Sequence, residues 1–124
     1  MQQSSNESNL TLSVIVPAYN EEKTVAAVVE RVVAELSCSF EIIIVNDGST
    51  DRTPEIIDGL AAKDSRIRIH HKTNGGKASA LKQGFAMSQG EIVIIQDADL
   101  EYDPAEINEV IRPILNEQDR KSVV

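Results

Sequence analysis

The sequence predicts an α/β domain in which a mostly parallel sheet carries helices on both faces. Short apolar runs rich in β-branched residues alternate along the chain with segments whose apolar residues recur at spacings of three and four. The last of these runs, Ile92 to Ile95, has no polar position, which is typical of a strand buried on both faces of a parallel sheet. Right-handed crossovers would then connect the strands.

The first half of the chain contains two pairs of a strand and a helix. The first strand spans residues 10–17, where an alternating start leads into an apolar run that a proline ends. Asn20 is a candidate N-cap for an amphipathic helix over residues 25–36, whose valines recur at helical spacing. The second strand covers residues 40–45, and the helix after it carries Pro54 in its first turn.

The second half of the chain repeats this pattern. A short third strand at residues 67–71 precedes a helix over residues 77–88, which Gly90 closes. The apolar run at residues 92–95 forms the fourth strand, and Pro104 opens a last amphipathic helix. We therefore expect four parallel strands with helices on both faces.

Composition restricts the classes of partner. The chain has 124 residues with 41% hydrophobic and 26% charged residues, which is typical of one globular domain. Residues 1–9 are polar, so we expect a disordered tail before a domain at residues 10–124. The net charge of -8 disfavours nucleic acid as a partner. No apolar run approaches the ~20 residues of a spanning helix, so we expect a cytoplasmic protein, either soluble or peripheral at the cytoplasmic face of a membrane.

Every unusual polar cluster lies directly after a predicted strand. In a parallel sheet the loops after the strands share one edge, so residues far apart in sequence meet there. The clusters are Tyr19-Asn20-Glu21, Asn46-Asp47-Gly48-Ser49, Gly75-Gly76-Lys77 and Asp97-Ala98-Asp99.

The residue types in these clusters suit a nucleoside diphosphate. Asp97 and Asp99 can offer oxygen ligands to one divalent cation. Lys77 lies near the N-H groups of a helix start, which favours phosphate. The carboxylate of Asp47 can accept a hydrogen bond from a base N-H or a ribose hydroxyl. An isolated pair of acids is more often a solvated turn, and it is the presence of the other three loops that favours binding.

Other polar residues are interpreted without a ligand. Asp51 is read as a turn or N-cap residue. Five basic residues in and beside the third strand are interpreted as an exposed basic edge, namely Arg66, Arg68, His70, His71 and Lys72. A phospho-acceptor receiver domain would need an acid pair directly after the first strand, where this chain has Pro17-Ala18-Tyr19.

Four stretches together resemble the family 2 glycosyltransferases of GT-A fold. They occur in the right order over nearly the whole chain: Val14 to Glu22, Val45 to Asp51, Gly76-Lys77 with Ala80-Leu81 and Gly84-Phe85, and Asp97-Ala98-Asp99. The resemblance implies inverting transfer of a sugar from a UDP- or GDP-sugar. The run from Asp97 to Pro104 is most similar to the dolichyl-phosphate or polyprenyl-phosphate sugar synthases, which implies a polyprenyl or dolichyl phosphate or a saccharide as acceptor.

The resemblance also implies roles for single residues. The residues implied to bind the nucleotide sugar are Pro17, Ala18, Tyr19, Glu21, Asp47, Gly48, Lys77, Asp97, Ala98 and Asp99. Asp47 matches the base-contacting acid of the family, and Lys77 its basic residue beside the diphosphate or ribose. Asp97 and Asp99 match the catalytic acids of the family's DXD motif, in which the first acid usually faces the ribose and sugar and the second holds Mg2+ or Mn2+ on the diphosphate. The candidate metal ligands are Asp97, Asp99 and, as a third, Glu101.

The chain departs from the family pattern at two places. Ala78 follows Lys77 where a glycine is usual. Family members also continue with a further strand and an acceptor-side region that supplies a general base, whereas residues 121–124 resemble only the opening of that strand. We therefore expect the donor-binding part of a GT-A domain, truncated at the C-terminus and inactive alone. The alternative is a non-catalytic module of the same fold that binds a nucleotide or nucleotide sugar.

Overall fold

The computed structural model describes residues 10–99 and 122–123. The strands are β1 (Leu12–Ala18), β2 (Phe40–Asp47), β3 (Ile67–Lys72), β4 (Ile92–Ile95) and β5 (Ser122–Val123). The helices are α1 (Val25–Glu35), α2 (Thr53–Lys63) and α3 (Lys77–Met87). The predicted tail at residues 1–9 and the predicted helix after Pro104 lie outside the described residues. None of these three helices has the length and apolar character needed to cross a bilayer.

The described strands form one parallel sheet in the order β3-β2-β1-β4-β5. The four predicted strands are present, and β5 adds a fifth by pairing Ser122 with Ile92 and Val123 with Val93. The chain moves outward from β1 to β3 and then crosses back to place β4 on the other side of β1. The loops after β1 and β4 therefore flank the point where the strand order reverses, which is where such sheets bind ligands.

Alternate residues of the central strands enter two separate cores. Leu12, Val14 and Val16 of β1 are fully buried in the main core, which also contains the inward stripes of α1 and α2. On the opposite face of the sheet, Ile43 and Val45 of β2 pack with α3. This alternation is expected for strands covered on both faces. The prediction of helices on both faces is confirmed.

Asn20 is not the N-cap of the first helix, so that prediction is wrong. Thr24 holds the cap position of α1, which begins at Val25, and no side chain caps it. Asn20 instead has a φ of 54°, in the left-handed region that asparagine tolerates better than most residues. Its Oδ1 accepts a hydrogen bond from the backbone N-H of Thr50 at 2.8 Å. The side chain of Asn20 therefore binds the backbone of the loop after β2 instead of capping α1.

The basic residues in and beside β3 form an exposed edge only in part, since Arg66 and His71 are exposed whereas Arg68, His70 and Lys72 are half-buried. Arg68 is half-buried, and its Nη1 donates to Glu41 Oε1 and to the carbonyl oxygen of Met87, both at 2.8 Å. Lys72 is likewise half-buried and paired with an acid of β2. His71 is exposed and lies 2.9 Å from Asp58 Oδ1 through its Nε2. The partner strand β2 brings Glu41 beside Arg68 and Asp47 beside Lys72, which the sequence pattern alone does not show.

A buried polar network joins β1 and β2 near the amino-terminal ends of these strands. The Glu41 carboxylate accepts from Ser13 Oγ at 2.7 Å and from the backbone N-H of Gln89 at 2.7 Å, in addition to Arg68. Gly90 donates its N-H to Ser13 Oγ at 2.8 Å. A Cβ on Gly90 would lie 2.8 Å from the backbone of β1, so close approach to the strand explains this glycine. The prediction that Gly90 closes α3 is wrong, since Ser88 holds the C-cap position.

Candidate functional site

A cavity of about 340 Å3 opens at the carboxyl edge of the sheet, where the four predicted loops meet. Its volume is at the lower end of the range of small-molecule sites. Its lining residues come from all four polar clusters: Pro17, Ala18, Tyr19, Glu21, Asp47, Asn74, Gly76, Lys77, Ala80, Asp97, Ala98 and Asp99. Nine of the ten residues expected to bind the nucleotide sugar therefore lie together, and their individual roles stay predictions. Glu101 lies outside the described residues.

Gly48 is the expected site residue that does not line this cavity. It has a φ of +72°, and a Cβ at this position would lie 2.5 Å from the backbone nitrogen of Asn74. Both observations require glycine, because the left-handed backbone and the close loop leave no room for a side chain. Gly48 thus lets the loops after β2 and β3 pack against each other.

The loop after β1 divides its residues between the cavity and the neighbouring loop. Tyr19 and Glu21 line the cavity, and Tyr19 is 48% exposed, so its ring is available to a ligand. Asn20, between them, donates its backbone N-H to Ser49 Oγ at 2.9 Å and accepts from Thr50 as described above. These hydrogen bonds join the loops after β1 and β2, and we call the contact of Asn20 with Ser49 and Thr50 the latch.

Asp51 completes this latch. Its Oδ1 accepts from the backbone N-H of Thr53 at 2.9 Å, and its Oδ2 accepts from the backbone N-H of Glu22 at 3.2 Å. Burial alone would raise the pKa of Asp51, but the bonds from Thr53 and Glu22 outweigh it and hold the pKa below its ordinary value. Glu22 returns the contact by accepting from the backbone N-H of Arg52 at 2.9 Å. The structure thus gives Asp51 the predicted turn role.

Asp47 ends β2 with a buried carboxylate in the cavity wall. Its Oδ1 lies 2.8 Å from Lys72 Nζ and accepts from the Gly75 N-H at 2.9 Å, while its Oδ2 accepts from the Gly76 N-H at 2.9 Å. Burial would raise the pKa of Asp47, but these donors outweigh it and lower the pKa below its ordinary value. In this structure, Asp47 anchors the loop that follows β3.

The sequence interpretation overlooked Lys72 and Asn74. Lys72 pairs with Asp47, and Asn74 lines the cavity while its Nδ2 donates to the Asp47 carbonyl oxygen at 2.9 Å. The available signal was positional, since Lys72 ends β3 as Asp47 ends β2, and the parallel register places them side by side. Without the strand register, a lysine at a strand end is indistinguishable from a solvated one.

The acid pair after β4 is arranged around a buried residue. Ala98 is 2% exposed and packs in the main core, and its carbonyl oxygen accepts a hydrogen bond from Thr24 Oγ1. Asp97 and Asp99 on either side of it both line the cavity. Asp97 Oδ1 lies 2.7 Å from Lys77 Nζ, the first residue of α3. The turn therefore faces a lysine at a helix N-terminus, a setting that suits phosphate groups.

The same edge carries an excess of negative charge. Burial raises the pKa of Glu21, and the nearby carboxylates of Asp99, Asp51 and Asp97 raise it further, despite a hydrogen bond from Thr24. Mg2+ is usually held by one or two carboxylates together with substrate phosphates, so Asp97 and Asp99 fit such an ion. Among the described residues, no cluster of three or more acids, histidines or cysteines forms a metal site of protein ligands alone.

Comparison with known families gives one family for nearly the whole chain. Residues 13–123 match the model of glycosyl transferase family 2. Glycosyltransferase AglD of Haloferax volcanii is 37% identical over 109 residues, which cover 83% of this chain and 18% of that protein. An undecaprenyl-phosphate 4-deoxy-4-formamido-L-arabinose transferase of Pseudomonas aeruginosa is 37% identical over 105 residues, 81% of this chain and 31% of that protein.

Solved structures show the same fold. S. aureus TarS in complex with UDP-GlcNAc is similar with a TM-score of 0.65 and 30% identity, covering 87% of this chain and 32% of that one. The mannosyltransferase PcManGT from Pyrobaculum calidifontis, in complex with GDP-Man and Mn2+, gives a TM-score of 0.67 and 30% identity over 77% of this chain and 29% of that one. The predicted Rossmann-like GT-A fold is confirmed.

This chain spans only part of the proteins it resembles, since the shares of their length above run from 18% to 32%. The matched segment nevertheless contains all four loops of the cavity, because they lie between residues 17 and 99. Both the family model and the relatives cover most of this chain. The chain belongs to glycosyl transferase family 2.

Proposed function

We propose that this chain forms the donor-binding part of an inverting, metal-dependent glycosyltransferase that uses a nucleotide diphosphate sugar. The observation that carries the proposal is the convergence of four loops on one cavity, with an acid pair directly after β4. The ligands of related structures support it, since TarS is in complex with UDP-GlcNAc and PcManGT with GDP-Man and Mn2+. A UDP- or GDP-sugar is therefore the expected donor.

The wall formed by the loop after β1 is assigned to the base and ribose. Pro17 and Ala18 offer a small apolar surface, and the exposed ring of Tyr19 can cover a base. Glu21 can accept a hydrogen bond from a ribose hydroxyl, because its carboxylate faces the cavity and is only half-buried. Asp47 lies in the wall of the same proposed pocket, where its carboxylate also holds the loop after β3.

The diphosphate is assigned to the side formed by Lys77 and the acid pair. Lys77 Nζ is bound to Asp97 in this structure, and an entering phosphate would compete for that ammonium group. Asp97 and Asp99 would hold Mg2+ or Mn2+, with Glu101 as the proposed third ligand. When bound, the metal neutralises negative charge that builds on the departing nucleoside diphosphate. The fold positions the two carboxylates, because the buried Ala98 fixes the backbone on either side of which Asp97 and Asp99 lie.

The acceptor is proposed to be a polyprenyl phosphate. The relative from Pseudomonas aeruginosa is named for undecaprenyl phosphate, and this agrees with the likeness of residues 97–104 to polyprenyl-phosphate enzymes. A lipid acceptor would bring the protein to the cytoplasmic face of a membrane. A saccharide acceptor is the alternative, and the two differ in whether activity requires lipid phosphate.

Titration calorimetry tests the donor site. We expect UDP or GDP to bind weakly and to require Mn2+, because four carboxylates line the cavity. Asp99→Ala should lower the affinity in Mn2+ by roughly tenfold or more, because even the outer-shell partners of metal ligands typically contribute about 10- to 100-fold. Glu30→Ala, which removes an exposed carboxylate of α1, is the matched control and should bind like the parent chain.

Two results would contradict the proposal. Binding that is indifferent to both Mn2+ and Asp99→Ala would exclude the acid pair as the metal site. Absence of binding of either nucleotide at millimolar concentration would exclude the donor pocket. Donor binding with sugar transfer once an acceptor-side region is present would support the enzyme, whereas donor binding without transfer in its presence would favour the non-catalytic module.

A further inference from the structure

Lys72 lies at the end of β3, beside the carboxyl end of β2. The parallel register pairs it with Asp47, and its side chain is 17% exposed. Its Nζ donates to Asp47 Oδ1 at 2.8 Å and to the carbonyl oxygen of Thr73 at 2.7 Å. Lys72 belongs to none of the four stretches that carry the family resemblance, and it does not line the cavity.

The donors that bind the Asp47 carboxylate come from residues 72–76, just before α3. Besides Lys72 and the N-H groups of Gly75 and Gly76, its Oδ2 lies 3.3 Å from Asn74 Nδ2. An ionised carboxylate has about four acceptor positions, and the four donors come from residues 72–76 alone. The carboxylate therefore holds the turn, and Lys72 supplies the cation that balances it.

The turn held in this way is the start of α3. Gly76 occupies the N-cap position with a φ of 97°, and Lys77 is the first helical residue. A Cβ on Gly75 would lie 3.0 Å from Lys72 Nζ, so the ammonium group and the turn are in close contact. A shift of the Asp47 carboxylate would therefore move the turn and the lysine that follows it.

We propose that Lys72 is a positioning residue for donor binding, which acts through Asp47 to fix the Gly75-Gly76 turn and to present Lys77 to the phosphate groups. The inference rests on the proposed function for its ligand. Lys72 also balances a carboxylate in the cavity wall, so that an anionic donor does not meet an unpaired buried charge. Two consequences follow, one local to the turn and one on donor affinity.

The experiment uses Lys72→Met, which keeps most of the side-chain volume and removes the charge. Lys63→Met is the matched control, because Lys63 ends α2, a helix that runs from the cavity edge toward the opposite edge of the sheet. Amide hydrogen exchange followed by NMR reports on the Gly75 and Gly76 N-H groups without any ligand. Calorimetry with UDP and Mn2+ reports on donor binding.

In Lys72→Met we expect the Gly75 and Gly76 amides to lose protection selectively, while the amides of β1 and β2 keep theirs. We also expect UDP affinity to fall by roughly fivefold or more, within the usual range of coupling between sites. Lys63→Met should match the parent chain in both measurements. Exchange that is unchanged, or that rises equally throughout the sheet, would overturn the positioning role. If no variant and not even the parent chain binds UDP or GDP, the proposed function fails, and the exchange data still decide the role of Lys72.

Discussion

Replacing Asn20 by glycine and by alanine separates the backbone and side-chain contributions of the latch between the loops after β1 and β2. Both substitutions remove the hydrogen bond that Oδ1 accepts from the Thr50 N-H at 2.8 Å. Alanine keeps a Cβ at the φ of 54° and tolerates this backbone less well than asparagine, whereas glycine adopts it without strain. The two variants therefore differ in backbone strain and share the loss of the bond.

The magnitudes follow from these two terms. The lost hydrogen bond is worth about 1 kcal/mol. Glycine costs roughly 0.5 kcal/mol of chain entropy in the unfolded state but relieves the left-handed strain that asparagine carries, so Asn20→Gly should destabilise the chain by about 1 kcal/mol. Alanine keeps its Cβ at a φ where left-handed strain is roughly 1 to 2 kcal/mol, of which the parent asparagine already carries a part. The expected destabilisation of Asn20→Ala is therefore about 2 kcal/mol, so alanine should be the worse of the two.

Urea denaturation at pH 7 measures both free energies of unfolding, and calorimetry with UDP and Mn2+ measures binding in parallel. Because Tyr19 and Glu21 flank Asn20 and line the cavity, we expect weaker UDP binding in both variants. Equal stability of Asn20→Ala and Asn20→Gly would contradict a left-handed backbone at this position. Parent-like stability of both variants would show that the hydrogen bond between Asn20 and Thr50 does not stabilise the fold.

Two further predictions concern the buried carboxylates. Glu41→Ala leaves three donors without their acceptor. Because the side chain of Arg68 is 37% exposed and still donates to Met87, the loss should be smaller than for a fully buried ion pair, at roughly 2 to 3 kcal/mol in urea denaturation; a loss below about 1 kcal/mol would contradict the network. The lowered pKa values of Asp47 and Asp51 contribute stability that is present above their unfolded pKa of about 4 and is lost as the pH falls through the lower folded values. Unfolding midpoints measured between pH 5 and pH 2 should therefore fall less steeply in Asp47→Asn than in the parent chain, and identical slopes would refute the assignment.

Periodicity was sufficient to predict the fold class, because strands buried on both faces and amphipathic helices leave different local patterns. The run at residues 92–95 is an example, since its lack of polar positions reflects a central strand between β1 and β5. The convergence of the four loops followed from the rule that parallel strands end at the same edge. Neither step needed the order of the strands.

What the sequence could not predict depends on contacts between distant segments. Asn20 has the right type and place for an N-cap, yet the backbone of Thr50 competes for its side chain. Lys72 is separated from Asp47 by 25 positions, and only the register between β2 and β3 shows that they pair. Gly90 was expected to end a helix, while its actual constraint is the backbone of β1. In each case the partner lies far away in the sequence, so the spacing of neighbouring residues does not indicate it.

Some motif residues line the cavity and others only hold its loops together, and this affects the charge of the site. Asn20 and Gly48 serve contacts between loops, so fewer motif residues face a ligand than the sequence match suggests. Those that line the cavity include four carboxylates and one lysine, and that lysine is paired with an acid. A diphosphate cannot enter such a site favourably on the strength of one lysine and a helix N-terminus, since like charges at close range repel strongly in a partly buried setting. We therefore propose that the acid pair after β4 acts together with a divalent cation, and we expect donor affinity to rise with Mn2+ more steeply than ionic strength alone would explain.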